Sequence, residues 1–407
     1  MMSFLYVTSP KQLAVLYSKG DKQDYLNVRK RMKRLGLYLV VVLLLSGCSR
    51  EAIENMYQVD YEPTNRFAKN LAGMPGQYSK DTDGFDALIN SFSGNIEKRW
   101  GRDQLKMAGR TNYVKYIDNY LSRSDISFSE GKITVETVSP TDPKAHLRNA
   151  IITTLLTPDD PAGVELFSSK NITLANKGEP FLYQQVVDQD KQPIQWSWRA
   201  NRYADYLIAN HLQVKQVGFK KAYYVVIPMV KNQVEIRGNR YADIIRRASR
   251  KYDIPEDLIL AIIKTESSFN PYAVSWANAY GLMQVVPATA GRDVFRMVKN
   301  RPGDPTPEYL FNPENNIDTG TAYFYLLKNH YLKDVRHPLS LEYSMISAYN
   351  GGAGGVLNTF HSDRKRAMQD LNSLQPNQVY WALTKKHANA EARRYLEKVT
   401  KFKKEFN

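Results

Sequence analysis

The stretch Pro255-Glu-Asp-Leu-Ile-Leu-Ala-Ile-Ile-Lys-Thr-Glu266-Ser-Ser-Phe-Asn-Pro-Tyr-Ala-Val-Ser275 decides how the second half of this 407-residue chain is read. Ile259, Ile262, Ile263 and Glu266 fall at i, i+3, i+4 and i+7, so they share one face of a helix. Pro255 suits the first helical turn, and Glu256 and Asp257 stand where carboxylates favour the positive end of the helix dipole. A carboxyl on an apolar stripe loses its water, which disfavours the charged form and makes it hold a proton as a general acid must. Taken alone, Glu266 suits a structural buried ion pair better than that role.

Working outward, Ile244, Ala248 and Tyr252 mark a preceding helix, and Ile317, Gly320, Phe324, Leu327 and Tyr331 mark a later amphipathic one. Strand signal is almost absent after residue 239, so the spacing predicts a mainly α-helical domain over 239–407. Upstream, residues 231–240 are polar and read as a joint. Before them, short alternating or β-branched runs at 132–138, 181–187 and 222–227 interleave with helical patterns near 144–156 and 199–212. Phe85, Leu88, Ile89, Phe92, Ile96 and Trp100 recur at three- and four-residue steps and predict a core-facing helix. Residues 84–230 are therefore expected to form an α+β domain, and the fold class of the whole chain is α+β.

A composition of 43% hydrophobic and 24% charged residues allows two such domains, each with its own core. The formal charge is +15. Residues 1–47 hold eight Lys/Arg against Asp21 and Asp24, a net of +6, which leaves +9 for the remainder. That surplus favours an anionic polymer or membrane surface. The cations are spread along the chain with no basic helix or aromatic RNA-binding signature, so nucleic acid is not expected as a partner.

The single cysteine, Cys48, rules out an intramolecular disulfide. Before it, Met32-Lys-Arg-Leu-Gly-Leu-Tyr-Leu-Val-Val-Val-Leu-Leu-Leu-Ser-Gly-Cys48 has a basic start, an apolar run from Leu35 to Leu45 and small residues next to the cysteine. This is the pattern of a secretory leader. Eleven apolar residues at ~1.5 Å each cover only about half of a ~30 Å hydrocarbon core, too little for a spanning helix. Leu45-Ser46-Gly47-Cys48 resembles the bacterial lipoprotein processing box, which implies an acylated Cys48 as the mature N-terminus, and because residues 1–31 put a long mixed segment ahead of an otherwise compact leader, the true start is expected at Met32. Residues 48–83, with Pro63, Gly73, Pro75 and Gly76, then read as a tether. Ser49 follows the cysteine where an Asp would signal inner-membrane retention, so the expected location is the periplasmic face of the outer membrane.

After Glu266-Ser267 come Gly281-Leu-Met-Gln284, Pro287-Ala-Thr-Ala290 and Ala348-Tyr-Asn-Gly-Gly352, in that order. This series resembles the soluble-type lytic murein transglycosylases, which have a lysozyme-like fold and line one glycan groove with these blocks. The resemblance extends to the stretches 84–101, 144–161 and 179–196 of a particular member, and so covers nearly everything after Cys48. It implies Glu266 as catalytic acid and base. Ser275 and Gln284 would hydrogen-bond the sugar and its N-acetyl group, and Met283 would form part of the groove wall. Tyr349 and Asn350 would face Glu266, with Tyr395 as the family's late tyrosine. Amide and hydroxyl groups orient a ligand by hydrogen bonds, and aromatic faces pack on sugar rings, so the residue types suit the task. One departure is Asn278, where the family has glycine. Asn tolerates the left-handed backbone better than most non-glycine residues, so the loop is expected to keep its shape.

Ordinary glycosidases use two carboxylates. Between Ser267 and Arg292 there is no Asp or Glu, which fits a single-carboxyl mechanism unless a partner folds in from elsewhere. The resemblance implies non-hydrolytic cleavage of the bond from N-acetylmuramic acid to N-acetylglucosamine, with peptidoglycan strands as the partner. The rivals are a hydrolytic muramidase and a non-catalytic wall-binding lipoprotein. No His-Glu-x-x-His spacing is present, so neither metal nor cofactor is expected.

Overall fold

The computed structural model describes residues 82–406, apart from 160–163, 165–167, 171, 173–178 and 276–277. The leader, Cys48 and the tether as far as residue 81 lie outside the described residues, as do the side chains of Phe85, Leu88 and Ile89; the last two residues expected in the tether, 82 and 83, begin the first helix. The first element, α1 (Thr82–Trp100), carries Phe92, Ile96 and Trp100 on its buried face. Five strands follow: β1 (Asn112–Ile117), β2 (Ser122–Ser127), β3 (Lys132–Thr137), β4 (Gln213–Val217) and β5 (Lys220–Pro228). They form one antiparallel sheet in the order β1-β2-β3-β5-β4. Between β3 and β4 run α2 (Pro143–Leu155) and α3 (Ser197–Asn210).

Alternation along the strands divides the apolar residues between two faces. Tyr113, Ile126, Ile133, Val135, Val225 and Ile227 pack with Leu147 and Ile151 of α2 and Ala204 and Leu207 of α3. On the other face Val114, Tyr116, Val217 and Ala222 meet Phe92, Ile96 and Trp100 of α1. The sheet is thus covered on both sides by helices, and the α+β class holds.

The strand expected over 181–187 is instead a turn. Gln184 takes a left-handed φ of +63°, and the Tyr183 and Gln185 N–H groups donate to the carbonyls of Pro180 and Leu182 three residues back, which is turn and not strand bonding. The stretch expected as the joint, 231–240, contains the helix α4 (Gln233–Arg240), whose Arg237 is fully buried. Arg237 donates to the Gln185 side chain at 2.8 Å, to the Ser268 carbonyl at 3.0 Å and to the Phe128 carbonyl at 3.4 Å. Loss of water pushes its guanidinium down to about 9.

The helical part continues with α5 (Ala242–Tyr252), α6 (Glu256–Ser267), α7 (Arg292–Met297), α8 (Pro307–Phe311) and α9 (Pro313–Leu326). It closes with α10 (Pro338–Asn358), α11 (Arg364–Ser373), α12 (Pro376–Lys385) and α13 (Ala390–Lys403). In α6 Ile259, Ile262 and Ile263 are fully buried. At roughly 1.5–3 kcal/mol for each such side chain, burial fixes the rotation of this helix and with it the direction of Glu266. In α5 the core face runs through Ile245, Ala248 and Tyr252, while Ile244 is only partly covered. Among the described residues no helix is long and apolar enough to cross a membrane.

Candidate active site

Glu266 sits in the last turn of α6, and its side chain is nearly all buried, with 5% of the residue exposed. The helix stops there because Ser268 and then Phe269 turn left-handed, at φ +52° and +60°. Three sequence blocks are drawn to this point by hydrogen bonds. Ser267 Oγ donates to the Leu282 carbonyl at 2.8 Å, and the Tyr349 hydroxyl donates to the Met283 carbonyl at 2.8 Å. The Gly281–Gln284 loop is itself held by the buried Asn316, whose amide accepts from the Met283 N–H at 2.8 Å and donates to the Tyr280 and Leu310 carbonyls at 2.7 Å.

Gly281 has φ +71°, and a Cβ there would lie 2.4 Å from Asn316 Nδ2 and 2.5 Å from the Leu310 carbonyl oxygen. Both the backbone and the space require glycine. Gly281→Ala is therefore expected to cost at least about 2 kcal/mol, from strain at a special φ with overpacking, and to lower activity along with it. Thermal unfolding and a cleavage assay on the same preparation check this. Gly352, at φ +76°, interrupts α10 just after Asn350 and separates the Tyr349–Asn350 turn from the helix beyond.

Each residue proposed from sequence has a definite place. Tyr349 stacks on Phe324 with ring centroids 4.6 Å apart. Asn350 Nδ2 is 3.5 Å from Glu391, and its buried Oδ1 has no hydrogen-bond partner among the described residues. Tyr395, on α13, is buried with its hydroxyl close enough to Glu266 to favour the carboxylate, though short of full hydrogen-bond geometry. Gln284 turns left-handed at φ +49° and spends its amide N–H groups on the Ala273 and Gly281 carbonyls, leaving a buried Oε1 without a partner among the described residues. Ser275 Oγ accepts from the Ala279 N–H at 3.1 Å and closes the loop that contains Asn278. Asn278 does adopt φ +59°, so the glycine replacement preserves the left-handed turn. Met283 is fully buried, presents its backbone carbonyl to the Tyr349 hydroxyl and packs its side chain against Gly320 and Thr321.

Two further residues reach the site that the sequence did not disclose. Arg110, from the loop before β1, donates through Nη2 to Glu266 Oε2 at 2.6 Å and through Nε to the Glu266 carbonyl at 3.0 Å. It stands 156 residues away in the chain. Glu391, at the start of α13, lies 3.6 Å from Arg110 Nη1. No spacing or periodicity marks either one: Arg110 reads as a loop cation and Glu391 as an ordinary acidic residue in a first helical turn. Asn270 secures the approach, with its amide directed at the carbonyls of Gly109, Arg110 and Asn112.

Electrostatics follow from these contacts. Loss of water raises the Glu266 carboxyl above its ordinary value; the Arg110 guanidinium and the Tyr395 hydroxyl pull it down, Glu391 pushes it up, and Lys398 pulls it down. Burial together with the Glu266 charge holds the Tyr349 and Tyr395 hydroxyls protonated far above neutrality. The ion-pair and proton-donor readings of Glu266 thus meet in one group. It is paired with a cation, yet its burial still favours the protonated form.

Comparison with known proteins agrees in both halves of the chain. Residues 78–240 match the family described as membrane-bound lytic murein transglycosylase C, N-terminal domain, and residues 243–372 match the transglycosylase SLT domain. A membrane-bound lytic murein transglycosylase C from Photorhabdus laumondii is 54% identical over 81% of this chain and 92% of its own length. Its counterpart in Serratia proteamaculans is 51% identical over 92% of this chain and 99% of its own. Among solved structures, the 70 kDa soluble lytic transglycosylase of Escherichia coli is 25% identical over 40% of this chain and 23% of that chain, with a TM-score of 0.31. With two matched domains in the same order and relatives covered almost end to end, this chain belongs to the membrane-bound lytic murein transglycosylase C family of enzymes.

Proposed function

We propose that the chain is a lipid-anchored enzyme that cleaves the β-1,4 bond from N-acetylmuramic acid to N-acetylglucosamine in peptidoglycan, without water, leaving 1,6-anhydro-muramic ends. The observation that carries the reading is a buried Glu266 whose proton is held by desolvation at the junction of the Glu266-Ser267, Gly281–Gln284 and Tyr349–Asn350 blocks. Neutral Glu266 gives its proton to the glycosidic oxygen as the bond breaks, while the muramic N-acetyl group stabilises the positive charge at C1. Glu266, now ionised, takes the proton of the C6 hydroxyl as O6 closes on C1. One proton is given and one regained, so the enzyme is unchanged and no water is consumed. The unpaired acceptors Gln284 Oε1 and Asn350 Oδ1 suit donors on the sugar or its N-acetyl group.

Hydrolysis is favoured by one observation, the second carboxyl of Glu391 on the same guanidinium as Glu266. Mass spectrometry of muropeptides released from purified sacculi separates the two: anhydro ends support transglycosylation, and reducing ends replace it with a muramidase. The anchor rests on the processing box at Cys48, and Ser49 after it supports the periplasmic face of the outer membrane. Cys48→Ala is expected to move the protein out of the outer-membrane fraction; retention there after fractionation would exclude a lipid anchor at this residue.

A further inference from the structure

Arg110 stands between two carboxyls. One face of its guanidinium is 2.6 Å from Glu266 Oε2, and the other terminal nitrogen is 3.6 Å from Glu391 Oε1. The two carboxyls differ in setting: the Glu266 side chain is 7% exposed, whereas that of Glu391 is 59% exposed. Arg110 itself is one-third exposed, at the end of a loop, so only its head group is committed. Its backbone, by contrast, is held, because Asn270 fastens the carbonyls of residues 109, 110 and 112 to the turn after α6. With its root fixed and its Nε held on the Glu266 carbonyl at 3.0 Å, the guanidinium can turn its terminal nitrogens from one carboxyl to the other without the domain changing place.

The chemistry calls for such a change. An arginine next to a carboxyl favours its ionised form, yet the first step needs Glu266 protonated and the second needs it ionised. The groups facing Glu266 from every element packed on it are Arg110 from the loop before β1, Glu391, Tyr395 and Lys398 from α13, and Tyr349 from α10. Tyr349 and Tyr395 stay protonated, and among these groups Arg110 alone makes a direct ion pair with Glu266. Resting on the reading of Glu266 as the acid and base, we infer that Arg110 is a positioning residue supplied by the N-terminal domain: it leaves Glu266 for Glu391 while Glu266 carries its proton and returns when Glu266 is ionised. The N-terminal domain thereby sets the proton affinity of a carboxyl that it does not itself contain.

The test is the pH profile of kcat/KM for the full-length protein on a soluble peptidoglycan fragment, because its alkaline limb reports the acid that must be protonated in the free enzyme. Removing a cation in direct contact raises a carboxyl pKa by at least about one unit. Arg110→Gln is therefore expected to carry the alkaline limb upward by about one pH unit or more, which gives roughly tenfold more of the optimal activity at a fixed pH on the falling side. Arg110→Lys keeps a charge and is expected to fall between. Glu391→Gln leaves Arg110 with Glu266 alone and removes a repelling charge, so its limb is expected to move the other way. An unmoved limb in Arg110→Gln, or limbs that move in the same direction in Arg110→Gln and Glu391→Gln, overturns the inference. If Arg110→Gln does not fold, unmoved limbs in both Arg110→Lys and Glu391→Gln overturn it instead. Glu266→Gln, run alongside, keeps the two readings apart: full activity there removes Glu266 from the chemistry, whereas loss of activity there with unmoved limbs elsewhere rejects only the role of Arg110.

Discussion

Glu266→Gln is expected to lower the rate of glycan cleavage by roughly 10²–10⁴ while wall fragments still bind, because the amide keeps the shape of the carboxyl but has no proton to give. Its surroundings should persist. The Glu266 carbonyl that accepts from Arg110 Nε is untouched, and the Ser267 hydroxyl that joins α6 to the Gly281–Gln284 loop is unchanged. The loss would therefore be chemical rather than structural, a distinction that thermal unfolding of the variant checks directly. Pull-down on sacculi measures the binding, and release of soluble muropeptides measures the rate. Full cleavage by the variant would place the acid elsewhere in the groove, and loss of binding would make Glu266 a ligand for the sugar rather than its acid.

The second large effect is expected at Arg237, on stability rather than on chemistry. This side chain is completely buried between the sheet and α6 and bonds three acceptors, from Phe128, Gln185 and Ser268. Truncation to Ala removes the donors and leaves the Gln185 and Ser268 acceptors without that partner, while the Phe128 carbonyl keeps the Gln233 amide at 3.2 Å. Hydrogen bonds to a charged group contribute about 1.5–3 kcal/mol each, and an orphaned buried acceptor costs about 1–3. The cation also carries a desolvation cost, which holds its guanidinium near about 9 and returns part of that sum when it is removed. A net loss of at least about 3 kcal/mol is expected, a fall in Tm of several degrees for a chain of this size. Since Ser268 immediately follows the Glu266 turn, activity should fall below Tm as well. A Tm within one degree of the unmodified protein would show that these acceptors find other partners.

Legibility in the sequence followed burial pattern. The helices around Glu266 were readable because their buried positions are apolar and recur at helical spacing, as with Ile259, Ile262 and Ile263. Strand β2, by contrast, reads Ser-Arg-Ser-Asp-Ile-Ser, which carries no apolar alternation, yet it lies inside the sheet. Its buried Arg123 is paired with Glu136 at 2.8 Å on the neighbouring strand and covered by the Trp100 ring, with 3.9 Å from guanidinium carbon to centroid. Such compensation comes from partners 13 and 23 positions away in the chain, and local pattern cannot register it. The segment at 181–187 failed for the opposite reason: its apolar residues suggested a strand, but they are buried within a turn.

By itself, then, the sequence determined the helical catalytic domain, the α+β domain ahead of it, and the blocks at Glu266, Gly281–Gln284 and Tyr349–Asn350, since periodicity and motif order are local properties of the chain. Left-handed Asn278 was legible for the same reason, as a side chain with a known backbone tolerance. Only the tertiary structure decided which side chains face the Glu266 carboxyl. Arg110 comes from another domain, and Glu391 and Tyr395 from the last helix. The proton affinity of a buried carboxyl is the balance of desolvation against whichever charges the fold brings within a few ångströms, and that balance exists only once distant segments have packed together.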